Sequence, residues 1–272
     1  MAEELHENGG FAEVNGTQLY YEVAGEGHPL VLIHAGIADS RMWDDQWDAF
    51  GRQYRVVRYD IRGCGKSPMP PEEFSLRDDL LALLRLLGID KTYLLGVSMG
   101  GGVALDFTLE HPEMVDGLIL VASGVGGREP SETLKQAWER VEAAFDTGGI
   151  PAANEIEMQM WVDGPRRTPD QVDPTVRQRI GEMNANNFAM GSDEARPRRL
   201  DPPALNRLHE IRVPTLIVVG DLDQPDILES ADLLESGIAG SRKVVIHGTA
   251  HMPSMERPDE FNRIVLDFLH EL

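Results

Sequence analysis

Ser98 lies in the stretch "YLLGVSMGGGVAL" (93–105), where four glycines surround a single hydroxyl. A serine oxygen is a weak nucleophile unless it is lifted clear of its neighbours and set against a base. Gly96-Val97-Ser98-Met99-Gly100 meets the first need. An apolar strand that turns sharply into a helix holds its turn residue in a strained conformation, and the positions two residues to either side must then be small. The helix that follows presents the positive end of its dipole to any negative charge that develops there.

Such a serine needs a base, and a histidine on a loop after a late strand is the residue to look for. Of eight histidines, "KVVIHGTAHMP" (243–253) holds two. His247 closes the strand and points along the sheet. His251 sits on the loop beyond, where its ring can swing over the sheet edge, and is the preferred base. The acid that orients it should end the preceding strand. "LIVVGDLDQPD" (216–226) offers Asp221, Asp223 and Asp226. The turn beginning at Gly220 favours Asp223, with Asp221 as runner-up and Asp226 as a helix N-cap. The carboxylate would fix the imidazole tautomer and stabilise its charged form.

These residues must be carried by regular elements. "FAEVNGTQLYYEVAG" (11–25) contains Asn15-Gly16 and reads as an antiparallel hairpin. "PLVLIHAG", "YRVVRYDIRGCG", "TYLLGV", "VDGLILVAS", "VPTLIVVGDLD" and "SRKVVIHG" are apolar runs suited to strands buried on both faces. Helical patterns alternate with them, including "RDDLLALLRLLGI" (77–89), which stops at Gly88, and "RPDEFNRIVLDFLHEL" (257–272), with Pro258 in its first turn. The expected fold class is α/β, a mostly parallel central sheet with an antiparallel N-terminal edge and helices on both faces. The rhythm fails between residues 123 and 212. Segment 126–205 therefore reads as a helical lid inserted into a core formed by 1–125 and 206–272.

Composition narrows the function. With 46 acidic against 25 basic residues the net charge is −21, a surface that repels nucleic acid and anionic membranes. Cys64 is the sole cysteine, so no internal disulfide can form, and reducing cytoplasm is the expected compartment. "MAEELHENGG" lacks the basic start and apolar centre of a signal peptide, and no apolar run approaches about 18 residues. Histidine and cysteine are too scattered for a zinc framework.

The order Ser98, Asp223, His251, with "LVLIHAGIADSRMWDDQ", "YDIRGCGKSP", "LLGVSMGGGVAL", "PTLIVVGDLDQPD" and "IHGTAHMPSMERPDEF", resembles the α/β-hydrolase fold superfamily. Within it, the chain is similar to 3-oxoadipate enol-lactonases, bacterial esterases and cofactor-free haloperoxidases. The resemblance implies Ser98 as nucleophile, Asp223 as acid and His251 as base. It also implies an oxyanion hole from the backbone N–H groups of Met99 and Gly36, although the loop reads His34-Ala35-Gly36-Ile37 where the family has His-Gly. It implies no metal or cofactor.

Among other residues, His34 is expected to bond loop backbone and, with Ile37 and Trp161, to border the substrate pocket. Asp60 and Arg62 are expected to pin their turn by an ion pair. Cys64 lacks the surroundings of a reactive thiol. Trp138, Phe145, Met158, Met160, Trp161 and Phe188 could form an adaptable apolar pocket. Arg166, Arg167, Arg196, Arg198 and Arg199 read as a solvated helical face rather than a steering patch for anions. The expected function is hydrolysis of a small carboxylic ester or lactone through an acyl-enzyme, with a homodimer compatible with the sequence. Carbon–carbon bond hydrolysis and haloperoxidase chemistry are the rivals using the same three residues, and a hydrolase-like ligand receptor is the non-enzymatic one.

Overall fold

Asn15 and Gly16 take φ angles of 42° and 75°, the paired left-handed conformation of a type I′ turn. They join strands β1 (Glu7–Val14) and β2 (Thr17–Ala24) in antiparallel register, Val14 opposite Thr17. The computed structural model describes residues 7–70, 72–190 and 197–272. Six further strands follow: β3 (Pro29–Ile33), β4 (Arg55–Tyr59), β5 (Thr92–Val97), β6 (Val115–Val121), β7 (Thr215–Gly220) and β8 (Arg242–Ile246). They form one sheet in the order β1-β2-β4-β3-β5-β6-β7-β8. β2 pairs antiparallel with β4, and all pairs from β4 to β8 are parallel.

The apolar runs are continuous because both faces of these strands are covered. Alternate side chains point to opposite faces, and the core divides accordingly. Val31, Ile33, Leu94, Leu118 and Ile217 pack with helices α2 (Leu76–Leu86), α3 (Met99–Glu110) and α6 (Pro225–Gly237). Leu30, Leu32, Leu95, Ile119 and Val218 pack on the other face with α1 (Asp44–Gly51) and α8 (Pro258–Leu269). α2 is capped by the Ser75 hydroxyl on Asp78 N–H and ends where Gly88 takes φ 66°. The C-terminal pattern over 257–272 forms the single helix α8 with Pro258 in its first turn, and a one-turn helix α7 (Pro253–Glu256), also begun by proline, precedes it.

Between β6 and β7 the chain is helical and, apart from one isolated bridge at Pro197, free of strand pairing among the described residues. α4 (Glu132–Glu157) bends at Gly149, whose φ of 65° and ψ of −161° break the helix, and it resumes because Pro151 is tolerated in a first turn. A π-helical turn (Met158–Asp163) leads to α5 (Pro174–Met190). Leu134, Ala137, Val141, Ala153 and Met160 give this insertion a small core of its own. Met158, Val162, Val176, Ile180 and Met183 join the sheet's core.

Parallel register brings the strand ends to one edge: Ile33 lies opposite Gly96, Val97 opposite Val121, Val121 opposite Val218, and Gly220 opposite Ile246. The loops after β3, β5, β7 and β8 therefore meet, at the edge where ligands bind in open parallel sheets. α3 lies so close to the sheet that a Cβ on Gly96 would overlap the backbone of Gly100 and Gly101, and one on Gly100 would overlap the carbonyls of Ile33 and His34. Backbone cannot yield as a side chain can. Gly96→Ala should therefore cost about 3 kcal/mol or more, seen as a lower Tm by differential scanning calorimetry. Gly10→Ala, where nothing lies within 4 Å, is the matched control and should leave Tm close to that of the parent.

Candidate active site

Ser98 has φ 54° and ψ −111° and immediately precedes α3. A β-carbon is costly there, and the conformation persists only because its surroundings impose it. The Ser98 N–H donates to the Val121 carbonyl of β6 at 2.9 Å, and the glycine contacts just described hold strand and helix on either side. The Met99 N–H belongs to the first turn of α3, where helix amides have no acceptor within the helix. Gly36 stands beside it: a Cβ on Gly36 would lie 3.8 Å from the Met99 side chain.

Asp223 is wholly buried and accepts a 2.8 Å hydrogen bond from Nδ1 of His251, which is 1% exposed. The other oxygen of Asp223 accepts from the Gln224 N–H at 2.7 Å. The loops that carry this pair are bound to each other, Leu222 N–H donating to Thr249 C=O at 2.9 Å. Gly220 is glycine of necessity, since a Cβ would overlap the carbonyls of Thr249 and Ala250. No hydrogen bond joins Ser98 Oγ to the His251 ring among the described residues. Such bonds are often long until substrate is bound.

Trp161 connects the two halves. Its ring packs against His251 with centroids 4.6 Å apart, its carbonyl accepts from the His251 N–H at 3.3 Å, and its side chain lines a cavity of about 520 Å³ together with Ser98, Met99 and Gly102. A second cavity of about 830 Å³ is lined by Gly36, Met99, Glu157, Asn187 and the exposed end of the lid at Phe145 and Phe188. Met99 borders both.

His34 does not border either cavity. It is wholly buried, its Nδ1 bonded to the Ala35 carbonyl at 2.7 Å and its Nε2 accepting from the Ile61 N–H at 2.8 Å. Burial lowers its pKa and keeps the ring neutral. Ile37 is likewise buried and lines neither cavity, because the loop turns inward onto Met42 and Trp43. Met158 and Met160 are also packed away from both. His247 pairs with Asp221 at 3.0 Å on the surface, and Asp221 also receives the Gly248 N–H.

Asp226 is not an N-cap. Pro225 starts α6 one residue earlier, and the Asp226 carboxylate instead receives the N–H and hydroxyl of Ser131 and the Arg128 guanidinium. Nor do Asp60 and Arg62 pair. Asp60 accepts the N–H groups of Ser40 and Lys66, both at 2.8 Å, while Arg62 grips Asp79 of α2. Burial, with Asp60 and Asp39 nearby, pushes the Cys64 thiol up to about 12 and leaves it unreactive.

Four residues to which the sequence assigns no part in the site hold it together. Arg167 donates to the carbonyls of Val162 and Asp163 and pairs with Glu256 at 2.5 Å, while Glu256 accepts the Ala250 N–H at 2.8 Å, next to His251. Gln224 donates to the Met160 carbonyl at 2.6 Å. Asn187 of α5 donates to the carbonyls of Gly36 and Ala38 at 3.2 and 2.8 Å and accepts the Gly65 N–H at 3.0 Å. Arg166 and Arg198 likewise make specific contacts, to the Asp221 carbonyl and to Asp78, rather than facing solvent freely. Arg199 is exposed at the first cavity, and Arg196 lies outside the described residues. A spacing of five from His251 to Glu256 is the only sequence signal for any of these. Among the described residues, no group of three His, Cys, Asp or Glu is disposed to hold a metal, and no helix is long and apolar enough to cross a membrane.

The model of the alpha/beta hydrolase fold family matches residues 28–258. The chain belongs to that family. A 2-hydroxy-6-oxononadienedioate/2-hydroxy-6-oxononatrienedioate hydrolase of Pseudomonas putida is 31% identical over 93% of this chain and 91% of its own length. The enol-lactonase of Burkholderia xenovorans LB400 superposes with a TM-score of 0.80 at 27% identity, over 96% of this chain and all of that one. A thermophilic esterase of Thermogutta terrifontis gives a TM-score of 0.80 at 26% identity, over 98% of each chain.

The Arg167–Glu256 pair gives this α/β hydrolase a testable pH signature. Both side chains are under 10% exposed. Burial already raises the Glu256 carboxyl, a shift that Arg167 opposes. Arg167→Met should cost about 3–5 kcal/mol at neutral pH by stranding that charge. A raised carboxyl pKa means the folded state holds more protons than the unfolded one, so the deficit should shrink on acidification. Thermal melts of both proteins between pH 8 and pH 5 read this directly. A deficit that stays constant or grows as the pH falls would contradict it.

Proposed function

We propose that this α/β hydrolase is a serine enzyme that cleaves small carboxylic esters or lactones through an acyl-enzyme. The observation that carries the proposal is the buried 2.8 Å Asp223–His251 contact set at the same sheet edge as a serine held at φ 54°. In this reading His251 Nε2 takes the Ser98 proton as Oγ attacks the carbonyl carbon. Asp223 holds the Nδ1–H tautomer and stabilises the imidazolium without itself taking the proton. The N–H groups of Met99 and Gly36 receive the oxyanion, each such donor being worth about 3 kcal/mol. The imidazolium then protonates the leaving alkoxide. Water, deprotonated by the same ring, releases the acid and restores Ser98.

Carbon–carbon bond hydrolysis is the second reading, supported by the likeness to the P. putida enzyme. A dienedioate carries two carboxylates and calls for free cations near the serine. Arg128 and Arg62, which border the cavities, are already neutralised by Asp226 and Asp79. Arg199, which lines the first cavity, is exposed and so weakened by solvent. The pairing of these arginines supports esters and lactones as the first reading.

A panel of nitrophenyl esters, lactones and a vinylogous dienedioate diketone decides among these. Turnover of esters or lactones, abolished by Ser98→Ala and lowered about 10⁴-fold by Asp223→Asn, is the expected result. Turnover of the diketone alone would favour the second reading. Tight binding with no turnover of any member would indicate a receptor. Asn187 should act as a positioning residue for the Gly36 loop. Asn187→Leu should lower kcat about 10- to 100-fold while leaving KM nearly constant, a split that a general loss of folded protein would not give.

A further inference from the structure

Ser98, Gly102 and Asp106 follow one another at intervals of four on α3 and its N-terminal turn, so they share one face of the helix. All three line the first cavity. Gly102 leaves the middle of that face open: a Cβ there would meet only the Gly124 carbonyl, at 3.9 Å. The helix thereby floors a groove that runs about 12 Å from the serine to the carboxyl. Its walls include Val125, Leu134, Trp138 and Ile227, which are apolar.

Asp106 ends this groove with no hydrogen-bond or ion-pair partner among the described residues. Its Oδ1 is sealed from solvent and accepts no hydrogen bond, and the side chain has no ion pair among the described residues. Three of the cations near it are engaged elsewhere, and the fourth, Arg199, is exposed on the same cavity and forms no ion pair with it among the described residues. Arg77 binds Glu110 and the Arg198 carbonyl, Arg207 binds Glu210 and the Leu109 carbonyl, and Arg128 binds Asp226 and Glu229. Burial pushes the Asp106 carboxyl up to about 6, with Glu110 adding to the rise and Arg77 and Arg207 opposing it. A partly buried carboxylate with one sealed, unpartnered oxygen costs a fold stability. A residue that costs stability at the end of an apolar groove leading from the nucleophile calls for a ligand that offsets the cost.

We infer that the groove along α3 receives one arm of the substrate and that Asp106 recognises a cationic or hydrogen-bond-donating group at the end of that arm. This rests on the serine-hydrolase reading and names the substrate class for the same site: esters or lactones with an apolar chain ending in an amine or hydroxyl. Gly102 provides the passage, Asp106 the selectivity.

The test uses calorimetric titration of the Ser98→Ala protein at pH 8, where binding is read without turnover. The probes are methyl 8-aminooctanoate, methyl nonanoate of equal length, and monomethyl suberate with an anionic end. The amine-ended ester should bind about tenfold more tightly than the nonanoate. Adding Asp106→Asn should reduce that ratio below about twofold. Adding Gly102→Leu, which fills the groove ahead of Asp106, should abolish the preference independently. A preference that survives in either double variant, equal affinities for amine and methyl ends, or tighter binding of the suberate would overturn the inference. Wild-type turnover separates it from the hydrolase reading. A calorimetric preference with no hydrolysis of any ester would sink that reading and leave the recognition site standing. Hydrolysis without preference would do the reverse.

Discussion

The approach of α3 to the sheet, closer than any side chain would permit, is the constraint on which the site depends. Backbone of Gly100 lies against backbone of Ile33 and His34, and backbone of Gly96 against Gly100. With no β-carbons to separate them, the turn between β5 and α3 has one conformation available, and Ser98 is lifted out of it at φ 54°. The same contact brings the first amides of α3 beside the loop after β3. One steric requirement thus raises the hydroxyl and draws Met99 toward Gly36.

A second set of contacts makes the lid part of the site rather than a cover over it. The π-helical turn at its centre supplies the carbonyls of Met160, Trp161, Val162 and Asp163, and these bind Gln224, the His251 N–H and Arg167. A π turn leaves carbonyls out of the regular ladder, and here they meet the loops that carry the acid and the base. On the opposite side Asn187 ties α5 to the Gly36 loop. Movement of the insertion must therefore shift the imidazole from one side and the Gly36 loop from the other.

What could be read from the sequence and what could not have distinct physical causes. The apolar strands buried on both faces, the hairpin turn at Asn15-Gly16, the Gly88 stop and the serine turn depend on residues near one another in the chain, and each was legible. So was the pairing of Asp223 with His251, because strand ends in a parallel sheet line up. His34 and Ile37 follow β3 and so point to the pocket by position alone, yet the loop folds inward and buries both. Asp60 and Arg62, two residues apart, face different partners, since a turn sends neighbouring side chains in different directions. Gln224 and Asn187 bind across the lid boundary to backbone groups, which carry no residue-type signal, and Arg167 and Glu256 pair across it from positions 89 residues apart. Asp106 was invisible for a related reason: a single aspartate in an apolar helix says nothing of its neighbours in space, and only three dimensions show that none of the described residues answers it.

Met99 stands between two chambers, bordering each. A partition at this point means that the two fragments of a cleaved molecule would sit in separate rooms. Under the proposed chemistry, the departing piece would vacate one side while the esterified piece still occupied the other. The emptied room then becomes the route by which water reaches the carbonyl, so turnover would not have to wait for the retained fragment to move aside.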